Sequence, residues 1–260
     1  MLAALREHTI TGWTELESEL DAWHASGTRA TFWLRDDDAT RPGPRLERLL
    51  TAAGTAPLSL AVIPVEASDE LAACVRQRGT VTALQHGYAH INNAPPEAKK
   101  SEFCDSRPLS AMMVEITAGR ERMAALFGDR FVSVFVPPWN RFPAAIAEPL
   151  AEQGFLGLSA YGPRRRDAAC RMVNCHADLI DWRGSRRFIG ENAILAQIVD
   201  HLSARRRGIV DATEPTGLLT HHRDHDPACW RFITAFVRVV GDHPAADWTT
   251  AETALSDAPR

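Results

Sequence analysis

Short β-branched or apolar runs alternate with stretches of helical periodicity along almost the whole chain, and this alternation restricts the fold more than any other feature. The first stripe, Trp13, Leu16, Leu20 and Trp23, predicts a helix that ends at Gly27. Strands are expected at 31–34, 58–63, 80–84, 131–136, 155–160, 217–220 and, more weakly, 171–175. Between them the spacing predicts helices over 44–53, 68–78, 109–127, 143–153, 191–206 and 228–240. Seven strands alternating with helices argue for an α/β protein with a mostly parallel sheet. No glycine fingerprint follows the first strand, which favours a barrel-like closure over an open dinucleotide-binding sheet. No linker, internal repeat or low-complexity segment interrupts the pattern, so residues 1–260 are expected to form a single domain. The basic triplets at 164–166 and 205–207 read as solvated helix ends or loops.

Composition removes several function classes. With 29 Lys+Arg against 33 Asp+Glu the formal charge is -4, which argues against nucleic acid as the main partner. No stretch approaches the roughly 18 apolar residues of a membrane span. Arg6, Glu7 and His8 interrupt the N-terminus before a secretory apolar run can develop, so a cytoplasmic location is expected. The five cysteines, Cys74, Cys104, Cys170, Cys175 and Cys229, are scattered and odd in number, which fits free thiols in a reducing compartment. Cys170, Cys175 and His176 have the look of a metal knuckle, but no second cysteine pair supports one.

In parallel α/β architectures the working residues lie just beyond the C-terminal ends of the strands. The first strand is followed by Arg35, Asp36, Asp37 and Asp38, three adjacent carboxylates that repel one another unless a cation or proton traffic compensates. A solvated acidic turn, or Asp38 capping the next helix, is the plainer account. After the third strand come His86 and His90, four apart; with one carboxylate they would make a three-ligand metal site with positions open to water, and otherwise they are surface or turn histidines. Trp139, after Pro137 and Pro138, is either a wall for a flat sugar face or part of the core. Asp178, Asp181 and Trp182 again pair carboxylates with an aromatic, and His221, His222, Asp224, His225 and Asp226 crowd the end of the last strand.

The order of these motifs resembles that of the polysaccharide deacetylase family, carbohydrate esterase family 4. The resemblance spans about residues 31 to 222 and implies a distorted (β/α)7 barrel whose members hydrolyse N- or O-acetyl groups with a divalent metal, often zinc. Leu34-Arg-Asp-Asp-Asp-Ala39 is similar to the family's Leu-Thr-Phe-Asp-Asp-Gly, which implies Asp37 as general base and Asp38 as metal ligand; a slip of one residue would give those roles to Asp36 and Asp37. His86-Gly-Tyr-Ala-His90 resembles His-[Ser/Thr]-x-x-His, with Gly87 at the hydroxyl position, and implies His86 and His90 as the other ligands. Val136-Pro-Pro-Trp139 is similar to Arg-x-Pro-[Tyr/Phe] without the arginine that orients the catalytic aspartate, for which Arg35 or Arg141 could substitute. Asp178-Leu-Ile-Asp181-Trp182 resembles Asp-x-x-Asp-Trp, and Leu219-Thr-His221 the motif that carries the general-acid histidine. Trp139, Asp178, Asp181 and Trp182 are the expected substrate-binding residues, and His222 and His225 are rivals to His221.

The expected activity is therefore removal of an acetyl group from an N-acetylated sugar or related amide by metal-activated water. Asp37 would take the proton of the water, the backbone N–H of Trp139 would help hold the oxyanion, and His221 would protonate the leaving amine. The expected partner is a small molecule or oligosaccharide, with neither nucleic acid nor membrane. No Gly-x-Ser-x-Gly elbow is present, which argues against a serine hydrolase. Two other classes fit some of the residues: a catalytically degenerate carbohydrate-binding protein on the same barrel, which the missing arginine favours, and a non-haem iron oxygenase, whose facial triad also has two histidines and a carboxylate.

Overall fold

The computed structural model describes residues 12–165 and 168–256; the N-terminal segment read for a secretory signal and Arg166 of the first basic triplet lie outside them. In chain order the elements are α1 (Gly12–Ala25), β1 (Ala30–Ala39), α2 (Pro44–Ala53), β2 (Leu58–Val62), α3 (Asp69–Arg76), β3 (Val81–His86), α4 (Leu109–Phe127) and β4 (Phe131–Val136). They continue with α5 (Ala147–Glu152), β5 (Gly157–Leu158), β6 (Ala177–Asp178), α6 (Glu191–Arg206), β7 (Thr216–Thr220), α7 (Pro227–Asp242), β8 (Ala246–Trp248) and α8 (Ala251–Ser256). Seven strands lie in the order β5-β4-β3-β2-β1-β7-β6, with β8 joined to β1, and every strand pair is parallel. This is a curled, distorted parallel barrel with helices outside it. No helix among the described residues is long and apolar enough to cross a membrane.

Strand β1 is the axis of the sheet and decides where the polar residues go. It pairs with β2 on one side and β7 on the other, and runs ten residues rather than the four the apolar pattern suggests. Charged residues persist in a buried central strand because each finds a partner, as described below. Alternation sends Phe32 and Leu34 to the helix-covered face, where they join Leu16, Leu20, Ile194 and Phe236, and turns Trp33 inward among Val134, Val136, Cys175 and Leu219. At the end of β1 the register with β2 shifts between Asp36 and Ala39, and Asp38 takes a positive φ of 71°. Such a bulge re-aims a side chain at a strand end.

Three parts of the fold differ from the expectation. The weak strand at 171–175 is not one; this segment makes only isolated parallel bridges, Leu158↔Met172 and Tyr161↔Cys175, and the true strand follows at β6. It nevertheless closes the barrel, since Trp33 Nε1 donates to Asn174 O at 2.9 Å and His176 N to Gly217 O at 2.8 Å. Second, β8 and α8 were not anticipated. Ala251, Ala254 and Leu255 of α8 pack with Val132 and Trp33 beneath the barrel's N-terminal end. Third, Arg164 and Arg205, read as solvated, are buried: Arg164 pairs with Asp211 at 2.9 Å, and Arg205 donates to Thr31 O at 2.9 Å and Thr216 Oγ1 at 3.0 Å. All five cysteines are free, Cys175 and Cys229 being buried.

The closing segment approaches β7 so tightly that only glycine fits there. A Cβ at Gly217 would lie 2.3 Å from Trp33 Nε1, 2.5 Å from Asn174 O and 2.8 Å from Cys175 Cα, two of them backbone atoms that cannot swing away. Gly217→Ala should therefore destabilise the fold by about 1–3 kcal/mol, the usual cost of overpacking, read as a lowered urea midpoint at unchanged slope. An unchanged midpoint would show that the barrel is not closed by this contact.

Candidate active site

At the C-terminal end of the barrel three side chains from β1, β3 and the loop after β3 face one another. Asp38 Oδ1 lies 3.2 Å from His86 Nε2 and 3.2 Å from His90 Nε2, and it is buried without a hydrogen-bond partner. Ligand atoms on a tetrahedral zinc with bonds of about 2.0–2.1 Å stand about 3.3 Å apart, so the spacing suits such an ion. The tautomer suits it too. His86 Nδ1 is 3.0 Å from the carbonyl of Val136, which can only accept, so the ring holds its proton there and presents the lone pair of Nε2 to Asp38. His90 occupies a left-handed backbone position with φ 56°, and its ring packs against Trp139 with centroids 4.5 Å apart.

The electrostatics are those of a cation site. Burial would raise the carboxyl of Asp38, but the nearby imidazole of His86, with His90 and His221 behind it, holds it well below the usual range. Burial and the neighbouring His86 push His90 down, whereas at His86 the charges of Asp37 and Asp38 outweigh burial and push it up.

Asp37 turns to the other partner on β1. Arg35 Nε lies 2.9 Å from Asp37 Oδ1 and Nη2 donates to Oδ2 at 3.1 Å, with both side chains buried inside the barrel. The remaining donors of the guanidinium reach Ser159 Oγ at 2.6 Å, Ala160 O at 3.3 Å and Asn140 Oδ1 at 2.7 Å. Burial would strip the proton from Arg35, and the charge of Asp37 leads the groups that outweigh it. Arg35 thus makes the contact to Asp37 for which the segment before Pro137 offers no arginine. Arg141 does not make it, since its guanidinium donates to Lys100 O at 2.7 Å. Through Asn140 the same guanidinium steadies the 137–141 loop, where Trp139 and Asn140 both have positive φ.

Opposite, at the end of β7, His221 Nδ1 stands 3.8 Å from Asp178 Oδ1, and Trp182 meets the imidazole edge-on with centroids 4.7 Å apart. Trp182 Nε1 donates to Asp178 Oδ2 at 2.8 Å, which fixes the carboxylate beneath the ring. Burial pushes the carboxyl of Asp178 up, against the lowering charge of His221. Asp181 is not brought to this cluster. It accepts from Gly184 N and Ser185 N, each at 2.9 Å, and so holds its own turn.

The rival residues are engaged elsewhere. Asp36 points to the opposite face of the sheet, where it accepts from Thr220 Oγ1 at 2.6 Å and His222 N at 2.8 Å and pairs with His222 Nδ1. His225 Nε2 accepts from His221 N at 3.1 Å, which braces the backbone under His221. Glu102 was missed from sequence, as were Asn140 and Ser159. Glu102 accepts from the backbone of the histidine loop, and at 13 and 14 residues' separation in a polar loop no periodicity or motif signals it.

A second trio, His176, His201 and Glu214, is buried near the start of β7. It is built differently. The N–H of Gly217 donates to His176 Nδ1 at 3.0 Å, so the neutral ring carries its proton on Nε2, towards Glu214 Oε1 at 3.5 Å, and offers no lone pair there. The rings of His176 and His201 stack with centroids 3.4 Å apart at 12°. Burial, then Arg205 and Arg164, drive His176 well below its usual range, and burial with His176 and Arg205 drives His201 down to about 2. Neutral rings beside two guanidinium groups make a structural cluster.

No protein-family model matches the sequence, and no curated protein matches it. The fold is shared with solved deacetylase and esterase structures. A candidate polysaccharide deacetylase from Mycobacterium smegmatis aligns with a TM-score of 0.63 at 16% identity, covering 88% of this chain and 90% of that one. A family 4 carbohydrate esterase from Streptomyces lividans, solved with acetate, aligns at 0.53 and 15% identity, over 89% of this chain and 97% of the other. A peptidoglycan deacetylase from Bacillus subtilis aligns at 0.52 and 13% identity, over 88% and 91%. At these identities the likeness is one of fold, and it defines the class of barrel: the polysaccharide deacetylase type.

Equilibrium dialysis against zinc should give one ion per chain. The ion should be lost in a His86→Ala, His90→Ala double variant and kept in His201→Gln. Two ions per chain, one of them sensitive to His201, would overturn the distinction between the two trios.

Proposed function

We propose that this chain is a metal-dependent hydrolase that removes an acetyl group from an N-acetylated sugar or a related amide. The observation that carries the reading is the meeting of three separately braced groups at one end of the barrel. These are the Asp38, His86, His90 trio, Asp37 on Arg35, and His221 on Asp178. A divalent ion held by the trio, zinc by its ligand chemistry, would supply Lewis acidity towards an acetyl carbonyl and acidify water.

The chain's own residues divide the remaining work. Asp37, one residue from Asp38 and paired with Arg35, would take the proton of the attacking water. The backbone N–H at Trp139, on the loop that Arg35 steadies through Asn140, is the candidate donor to a developing oxyanion. Asp178 lies within ion-pair reach of His221 Nδ1, at 3.8 Å, and His221 Nε2 would give a proton to the departing nitrogen. Trp139 beside His90 and Trp182 beside His221 are the candidate aromatic contacts for a sugar ring.

The case for a non-catalytic carbohydrate-binding protein drew on the missing arginine, and the Arg35 contact removes that ground. A non-haem oxygenase draws no support from a parallel barrel.

Acetate release from an N-acetylglucosamine oligosaccharide should disappear on chelation and return with zinc. Asp37→Asn should retain the metal and lose about 10²- to 10⁴-fold in kcat. His221→Ala should lose about 10²-fold or more on the amide and far less on an activated acetyl ester, whose leaving group needs no proton. Wild-type amide turnover by either variant with metal bound would refute the role given to it.

A further inference from the structure

We propose that Glu102 is a positioning residue for the candidate metal site: its carboxylate clamps the loop between the two histidines and holds His90 in place for the ion. The inference rests on the metal reading above. It begins with an unusual placement. Glu102 is 1% exposed, and among the described residues its carboxylate has no ion-pair partner. Its two oxygens instead take consecutive backbone donors, Tyr88 N on Oε2 at 3.1 Å and Ala89 N on Oε1 at 2.7 Å. Burying a carboxylate on two amides is costly in a loop that has no other need of it.

The loop is shaped for this guest. Gly87 and His90 both have positive φ, 57° and 56°, so the segment curls and turns the N–H groups of Tyr88 and Ala89 to one side. A Cβ at residue 87 would lie 2.1 Å from Glu102 Oε2 and 2.6 Å from Pro138 Cγ, so the glycine makes the room that the carboxylate fills. Glu102 is itself anchored: its carbonyl accepts from Asn93 Nδ2 at 2.9 Å and Arg107 Nη1 at 3.1 Å, and the next residue, Phe103, is buried against Phe135. A rigid return segment thus reaches across to a loop that has no regular structure of its own.

The two histidines depend on it unequally. His86 ends a strand and is fixed by Val136. His90 lies one residue beyond the clamp, at a backbone angle that a non-glycine residue holds only when its surroundings impose it. Releasing Glu102 should therefore loosen one ligand of three and leave the other two in register.

Glu102→Gln is the informative change, because an amide offers one acceptor where two N–H groups need two. Glu102→Asp keeps both oxygens and falls one methylene short, and it stands in should the first variant not fold. The zinc dissociation constant of each, measured by chelator competition, should rise about 10- to 100-fold over wild type, the usual effect of removing a residue that orients a ligand, with one ion still bound. Amide exchange at Tyr88 and Ala89 in the metal-free proteins should be slow in wild type and fast in the variants. A zinc constant within twofold of wild type in a folded variant would overturn the proposal. So would a lowered melting temperature of the metal-free variant with an unchanged zinc constant, which would make Glu102 a prop of the fold only. A wild-type chain that takes up no zinc would overturn the metal reading and this inference together, whereas equal zinc dissociation constants in wild type and variant would overturn this inference alone.

Discussion

A charged guanidinium sealed inside a barrel must have each of its donors answered, and that requirement organises this molecule. Arg35 has no exposed surface, and replacing its hydration demands acceptors from several directions at once. Asp37 supplies one hydrogen bond at Nη2 and an ion-pair contact at Nε, and Ser159, Ala160 and Asn140 supply the other acceptors. These acceptors come from β1 itself, from the stretch after β5 and from the loop after β4. One side chain thereby sets the distance between the first strand and the far wall of the barrel. The orientation of Asp37 is a consequence of the same accounting, since it is the only anion in the set.

The neighbouring histidines show how backbone hydrogen bonding writes chemistry into otherwise similar rings. His86 faces a carbonyl through Nδ1 and is left with a lone pair at Nε2; His176 faces an N–H through Nδ1 and is left with a proton there. Both lie close to a carboxylate, and only the first presents a lone pair to it. Which main-chain group lies behind the ring is decided by strand register, so a property of the sheet sets apart two His/His/carboxylate groups of the same composition.

Much of this was legible in the residues. Alternation of short apolar runs with helical stripes gave the parallel α/β class, because period-2 and period-3.6 patterns separate cleanly when elements are long. It shortened β1, since Arg35, Asp36 and Asp37 look like the end of a strand until their buried partners, 105 or more residues away for Asn140, Ser159 and His222, are known. It misplaced the sixth strand by a few residues, where pairing consists of single bridges that carry no periodicity. The carboxylate and histidine types at the strand ends pointed to the site, but their division of labour rests on the bulge that turns Asp38 away from Asp37. No propensity announces that bulge. Asp181 looked like a site residue because it shares a motif with Asp178, yet two adjacent backbone N–H groups claim it. Glu102 had no pattern to be found by.

The pairing of β1 has a consequence for the order of events in folding. Its neighbours are β2, only about one helix away in the chain, and β7 and β8, with Leu34 against Leu218 and Ala30 against Ala246. Contacts of such separation carry the loop-closure entropy that slows folding, and they can form only once the C-terminal third of the chain has left the ribosome. The acidic end of β1 is therefore synthesised well before the strands that enclose it, and its carboxylates spend that interval in water, where their mutual repulsion is screened until the strand that covers them arrives.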